Sequence, residues 1–195
     1  MELSELKNLI EASLHDCELK LEQEPEIVLS EADFERLVCW SIMNRLGHND
    51  YQMPRPGDFT IHTQVSHYFD GIPRPQYRVD ILLLTKEGME NASNQKEFIY
   101  RNDSFALELK YFHGNDTLSR IKEIKCDFCK RYFLDQNSWL YVVALIEEDD
   151  DDIYDRKKGI IDSIGYEEEN GKDNLFHYVV RKRKVDWSKF KEPEQ

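Results

Sequence analysis

The sequence predicts an α/β chain: a mixed sheet flanked by helices, with an extra helix at the N-terminus. Three observations carry this. Apolar residues recur at helical steps as far as Leu46, the period changes to two at Phe59, and Trp139 to Ile146 is an unbroken apolar run typical of a strand covered on both faces. The 195 residues suffice for one domain with a sizeable core. With 40% hydrophobic and 33% charged residues, the composition is that of a folded chain and not a disordered one.

Residues 2–22 read as an amphipathic helix, with Leu3, Leu6, Ile10, Leu14, Cys17 and Leu21 three or four residues apart, and Glu24-Pro25 ends it. A second helix starts at Ser30, an N-cap with Asp33 three residues on, and runs to about Leu46 before Gly47. Its apolar face is Phe34, Leu37, Val38 and Ile42, and Glu35 lies at the edge of that face. Phe59 to Phe69 alternates as a strand. The turn chemistry of Asp70-Gly71-Ile72-Pro73-Arg74-Pro75 then sends Tyr77 to Thr85 back antiparallel. Residues 88–96 are loop-like, Glu97 to Tyr100 is expected as a short strand or edge, and Ser104 to Phe112 as a central strand. A helix capped by Asp116 or Thr117 is expected to reach about Leu134, with Leu118, Ile121, Phe128 and Tyr132 inward. After the Trp139 strand, the acidic segment 147–155 reads as a solvated loop and Leu175 to Val180 as an edge strand. No internal repeat is visible.

The formal net charge of −13 argues against a polyanionic partner, because nonspecific nucleic-acid affinity comes from Lys and Arg on phosphates. The charge is unevenly spread. Acid concentrates in 147–152 and 167–169, whereas Arg181-Lys182-Arg183-Lys184, Lys189 and Lys191 form a basic stretch suited to backbone contact. No window nears the ~18 apolar residues of a membrane span. The acidic start is unlike a secretory leader, so a cytoplasmic location with no membrane partner is expected. Four scattered cysteines agree with a reducing compartment; Cys126 and Cys129 form a lone CxxC in a helix, read as packing thiols.

The chemistry-bearing residues stand where apolar ones belong. Asp80 interrupts Val79-Asp80-Ile81-Leu82-Leu83-Leu84, and Glu108 and Lys110 interrupt the next apolar strand. Buried charges are kept only when paired or bound to a metal. The two-residue period puts Glu108 and Lys110 on one face, about 6.6 Å apart along the strand. With Asp80 alongside, two carboxylates and waters suit Mg²⁺ or Mn²⁺, and a lysine can orient or deprotonate water: machinery for phosphodiester hydrolysis.

These residues and the order helix, three-stranded meander, helix, strand resemble the PD-(D/E)xK nuclease superfamily over about residues 30–146. The resemblance implies a restriction-endonuclease-like fold and a Mg²⁺- or Mn²⁺-dependent nuclease acting on nucleic acid, with DNA the expected substrate. It makes Asp80 and Glu108 metal ligands, the Leu109 carbonyl a further ligand, Lys110 the catalytic lysine and Glu35 the first-helix acid that often joins the metal. Val79 stands where the motif's proline would be. The organisation expected is an N-terminal helix over 1–25, a nuclease-like domain over 26–180 and a basic tail over 181–195. Cutting both strands of a duplex takes two sites, which points to a homodimer joined through the first helix.

Each residue has a bland alternative. Asp80, Glu108 and Lys110 would otherwise be a cross-strand ion pair, but Ile81 to Leu84 is apolar on both faces, unlike a solvent-facing strand. The macrodipole alone favours Glu35 early in its helix. Gln64 could approach the site from the first strand, although strand glutamines are ordinary; Arg120 and Lys122 are phosphate contacts or a solvated helix face. His62, His67 and His113 have no visible partner and read as structural. The alternative to an enzyme is a noncatalytic binding or assembly module on the same fold.

Overall fold

The computed structural model describes residues 3–47, 60–67, 77–84, 104–133 and 138–190. The expected 70–75 turn, the 88–96 loop, the 97–100 strand, Leu134 and Lys191 lie outside these residues. Helices α1 (Leu3–Gln23) and α2 (Glu31–Arg45) are followed by strands β1 (Thr60–His67), β2 (Tyr77–Leu84) and β3 (Ser104–Phe112). Two short helices come next, α3 (Leu118–Ile121) and α4 (Lys125–Phe128), then β4 (Trp139–Glu147), α5 (Asp151–Glu169) and β5 (Leu175–Lys182). The strands form one mixed sheet in the order β1-β2-β3-β4-β5. β1 to β3 pair antiparallel as a meander, and β4 and β5 run parallel to β3. No helix among the described residues is long and apolar enough to cross a membrane.

The two faces of the sheet have separate cores. Alternate residues of β2 to β4, among them Ile81, Leu107, Leu109 and Val143, pack with Leu6, Ile10 and Leu14 of α1 and Phe34, Val38 and Ile42 of α2. The other parity, including Leu82, Ala106, Val142 and Ile146, packs with Ile121, Ile124, Phe128 and Ile161 of the later helices. Ser30 caps α2 as expected: its Oγ accepts from the Asp33 N–H at 3.2 Å and donates to Asp33 Oδ2 at 2.8 Å. Two Arg45–Asp16 hydrogen bonds and a buried Ser41 Oγ to Ser13 carbonyl bond tie α2 to α1. The apolar stripe of α1 is therefore buried inside its own chain and is not the dimer contact expected of it.

Three expectations need correction. The single helix after β3 is instead broken into α3, a 3₁₀ turn (Lys122–Ile124), α4 and a second 3₁₀ turn (Cys129–Phe133). The inward residues Ile121 and Ile124 are three apart, a step that three-residue turns satisfy, and Leu118 is exposed. Segment 147–155 is not a solvated loop: Asp150 caps α5, accepting from the Ile153 N–H at 3.0 Å, and Asp151 and Asp152 fill its first turn, where the helix dipole favours acid. The first part of the basic stretch, Arg181 to Lys184, is paired within the chain. β5 continues through Lys182, which is 1% exposed and 3.1 Å from Glu147; Arg181 pairs with Asp151 and Lys184 with Glu148.

α5 is fixed to β5 by His177. Its Nδ1 lies 2.5 Å from Glu169 Oε1 and its Nε2 3.2 Å from Asp162 Oδ1, a pairing that only the doubly protonated ring satisfies. Gly165 makes room for it, since a Cβ there would lie 2.6 Å from the His177 Cγ. Burial alone would lower the His177 pKa, but hydrogen bonds and charge from Glu169 and Asp162 outweigh burial and raise it above 6.5. Such a group contributes stability that is full below about pH 6.5 and is lost as pH rises through the raised folded value. Urea melts are therefore expected to show the advantage of wild type over His177→Gln shrinking as the pH rises above about 6.5. A difference that stays constant as the pH rises would mean that the ring charge contributes nothing.

Candidate active site

The site forms where the sheet opens. The β2–β3 ladder runs from Leu84↔Ser104 to Ile81↔Leu107. Beyond it the carboxylate of Asp80 takes the place of a strand partner, Oδ2 accepting from the Leu109 N–H at 2.8 Å. Two residues further along β3, the Tyr111 N–H is met by Glu31 Oε2 of α2 at 3.3 Å. Buried backbone donors need acceptors, so these carboxylates complete the edge that β2 leaves.

Glu108 and Lys110 share the face of β3 turned toward α3 and α4. Glu108 is 2% exposed; its Oε2 accepts from Lys130 Nζ, and its Oε1 has no hydrogen-bond partner among the described residues. Burial pushes the Glu108 carboxyl up to about 9; the Asp80 charge adds to the rise, and Lys130 reverses only part of it. Asp127 of α4 lies 3.7 Å from Lys130 Nζ and feels the charges of Lys110, Asp80 and Glu31; burial raises its pKa. Lys110 is half-buried and has no ion pair among the described residues.

Glu35 reaches the cluster through an amide. Gln64 Nε2 donates to Glu35 Oε2 at 2.5 Å and is 3.4 Å from Asp80 Oδ1. Burial raises the Glu35 pKa, and the Asp80 charge adds to this against the Gln64 hydrogen bond. Gln64 has φ +55°, a left-handed conformation uncommon for a non-glycine residue, at a position that the β1–β2 register skips between Thr63↔Ile81 and Val65↔Val79. The register is the same on both sides, so Gln64 stands opposite Asp80 across a local kink that sets its side chain between the two acids.

Asp80, Glu108, Lys110, Glu35 and Gln64 are thus brought into one neighbourhood, with Leu109 bonded to Asp80. Arg120 and Lys122 are not. Arg120 pairs with Asp116, and Lys122 lies in a groove against α5 with Lys125, Asp155 and Arg156. His62 contacts Thr60, and the His113 ring lies tilted against Tyr111 with Nδ1 3.5 Å from Glu147. Cys126 and Cys129 are free thiols. Glu31, Asp127 and Lys130 were not singled out from the sequence. For Glu31, a signal existed in its position one turn before Glu35 on the same helix; Asp127 and Lys130 sit in the broken segment, where a helical period misleads.

Among the described residues no three His, Cys, Asp or Glu side chains converge closely enough to hold one metal ion. The set that fits a divalent ion is smaller: Asp80 and Glu108, with the Leu109 carbonyl and waters completing a Mg²⁺-type shell. Two features favour that fit. One Glu108 oxygen is buried and unpartnered among the described residues, and Asp80, Glu108 and Asp127 lie within electrostatic reach of Lys130, with Lys110 acting on Asp127. Comparison of the chain with family models, curated proteins and solved structures finds no match. The fold and site therefore define a mixed α/β protein with a carboxylate–lysine centre at a sheet opening.

Proposed function

We propose that this chain is a metal-dependent nuclease of the PD-(D/E)xK type, with a restriction-endonuclease-like core, acting on DNA with Mg²⁺ or Mn²⁺. The observation that supports the reading most is the opening of the β2–β3 ladder at Asp80, which sets that carboxylate beside Glu108 and Lys110. Asp80 and Glu108 would hold the ion, which when bound stabilises the charge developing on an attacked phosphate. Lys110, which has no ion pair among the described residues, orients the attacking water and supports its deprotonation. Water gives one proton to solvent and its oxygen bonds to phosphorus, one P–O bond breaks, and the leaving oxygen takes a proton from solvent. Gln64 donates to Glu35 and lies between it and Asp80. Cutting a duplex on both strands needs two sites, hence two copies of the chain.

A noncatalytic binding or assembly module is the second reading, favoured by the net charge of −13 and by the internal pairing of the basic stretch. Supercoiled plasmid and single-stranded DNA incubated with Mg²⁺ or Mn²⁺ distinguish the two. Wild type is expected to cut and Lys110→Ala to lose about 10²- to 10⁴-fold in rate, the usual contribution of a positioned acid–base group. Equal, metal-independent behaviour of both proteins would favour the module.

A further inference from the structure

A ligand carboxylate needs something to orient it, and on Glu108 that group is Lys130. Glu108 is 2% exposed, one oxygen is taken by the Lys130 ammonium, and the other has no partner among the described residues. Lys130 is itself held. It lies in the 3₁₀ turn Cys129–Phe133 two residues after Phe128, which is fully buried, and Asp127 Oδ1 is 3.7 Å from its Nζ. On the far side, Arg131 Nε donates to Asn174 Oδ1 at 3.0 Å and ties the turn to the segment before β5.

We propose that Lys130 is a positioning residue: its ammonium takes Oε2 of Glu108, so that Oε1 alone is presented to a divalent ion, and Asp127 keeps Lys130 in place. This rests on the metal-dependent reading above. Metal-ligating carboxylates are themselves held by hydrogen bonds, and removing such a holder typically costs about 10- to 100-fold in metal affinity. A bare competitor would do the opposite, since deleting a cation that merely occupies the ion's place tightens binding. The breaks in the 118–133 segment serve this arrangement, because they let Ile121, Ile124 and Phe128 all face the core while Asp127 and Lys130 face Glu108.

The test is a Mn²⁺ titration of the full chain read by melting temperature, because an ion that binds only the native state raises it. Wild type, Lys130→Met, Lys130→Arg, Asp127→Asn and Asp80→Asn are compared. Wild type is expected to show a Mn²⁺-dependent rise that Asp80→Asn removes. Lys130→Met weakens apparent affinity about 10- to 100-fold, Lys130→Arg recovers part of the loss because it still donates, and Asp127→Asn gives a smaller loss. Wild-type or tighter Mn²⁺ binding by Lys130→Met overturns the positioning role and leaves the nuclease reading standing. No Mn²⁺ effect on wild type removes both. Should Lys130→Met fail to fold, unchanged affinity in Asp127→Asn overturns the proposal.

Discussion

Asp80→Asn is expected to lower metal-dependent DNA cleavage by about 10³-fold, some 4 kcal/mol of barrier, while the protein melts close to wild type. The two outcomes separate because Asp80 has two tasks. Its charge would serve the ion, and its Oδ2 accepts from the Leu109 N–H at the end of the β2–β3 ladder. Asparagine keeps an oxygen for that N–H and loses only the charge. Asp80→Ala removes both and is expected to cost an additional 1–3 kcal/mol or so of stability, the penalty of a buried donor left without an acceptor. Initial rates of plasmid nicking in Mg²⁺ and urea melts on the same preparations report the two effects. Cleavage by Asp80→Asn within about threefold of wild type, under about 0.7 kcal/mol by the rate relation, would reduce Asp80 to a backbone acceptor.

The largest expected loss of stability lies elsewhere, at Glu148. Glu148 and Lys157 are each 2% exposed and 3.0 Å apart. Lys157 Nζ also donates to the Gly114 carbonyl at 3.1 Å, and Lys184 reaches the second Glu148 oxygen at 3.2 Å. Burial alone would raise the Glu148 pKa; hydrogen bonds from Lys157 and Lys184 outweigh it and hold the carboxyl below its ordinary value. Removing one member of a buried pair leaves an uncompensated charge, which costs about 3–5 kcal/mol. Glu148→Ala strands Lys157 in this way, and the expected drop in melting temperature is on the order of 10 °C. Replacing the pair together by Leu and Met should recover most of it, since a packed apolar pair of similar volume is often no worse than a buried ion pair. A drop below about 1 kcal/mol in Glu148→Ala would show that the pair is solvated, as exposed pairs are.

What the sequence made legible follows from how each signal arises. The α2 cap, the antiparallel return of β2 and the two-faced burial of β4 rest on local rules, namely a serine before an apolar period, turn residues, and an unbroken aliphatic run. α5 was illegible because its inward stripe is Lys157, Ile161 and Gly165, a lysine satisfied by Glu148 and a glycine that receives the His177 ring; neither carries an apolar signal. Its capping acids then looked like a solvated run. At the candidate site, the anomaly of charge within apolar strands pointed to Asp80, Glu108 and Lys110, which do share a neighbourhood. Lys130 and Asp127 were hidden because their proximity to Glu108 depends on the breaks in the helical segment, a tertiary outcome that periodicity cannot encode. The basic stretch misled for a related reason: composition displays its positive charge but not the acids of the 147–151 turn that meet it.

The first and last elements of the chain also meet. α1 packs along β5, with Tyr178 Oη donating to Glu18 at 3.1 Å and Lys7 Nζ 4.9 Å over the Phe176 ring. Contacts of such long sequence separation cost loop-closure entropy before they return anything, which slows folding. During synthesis α2 can meet the apolar stripe of α1 early, but the side of α1 that faces β5 stays uncovered until β5 emerges. Through that interval the uncovered side of α1 is a greasy ridge for other hydrophobic surfaces to find.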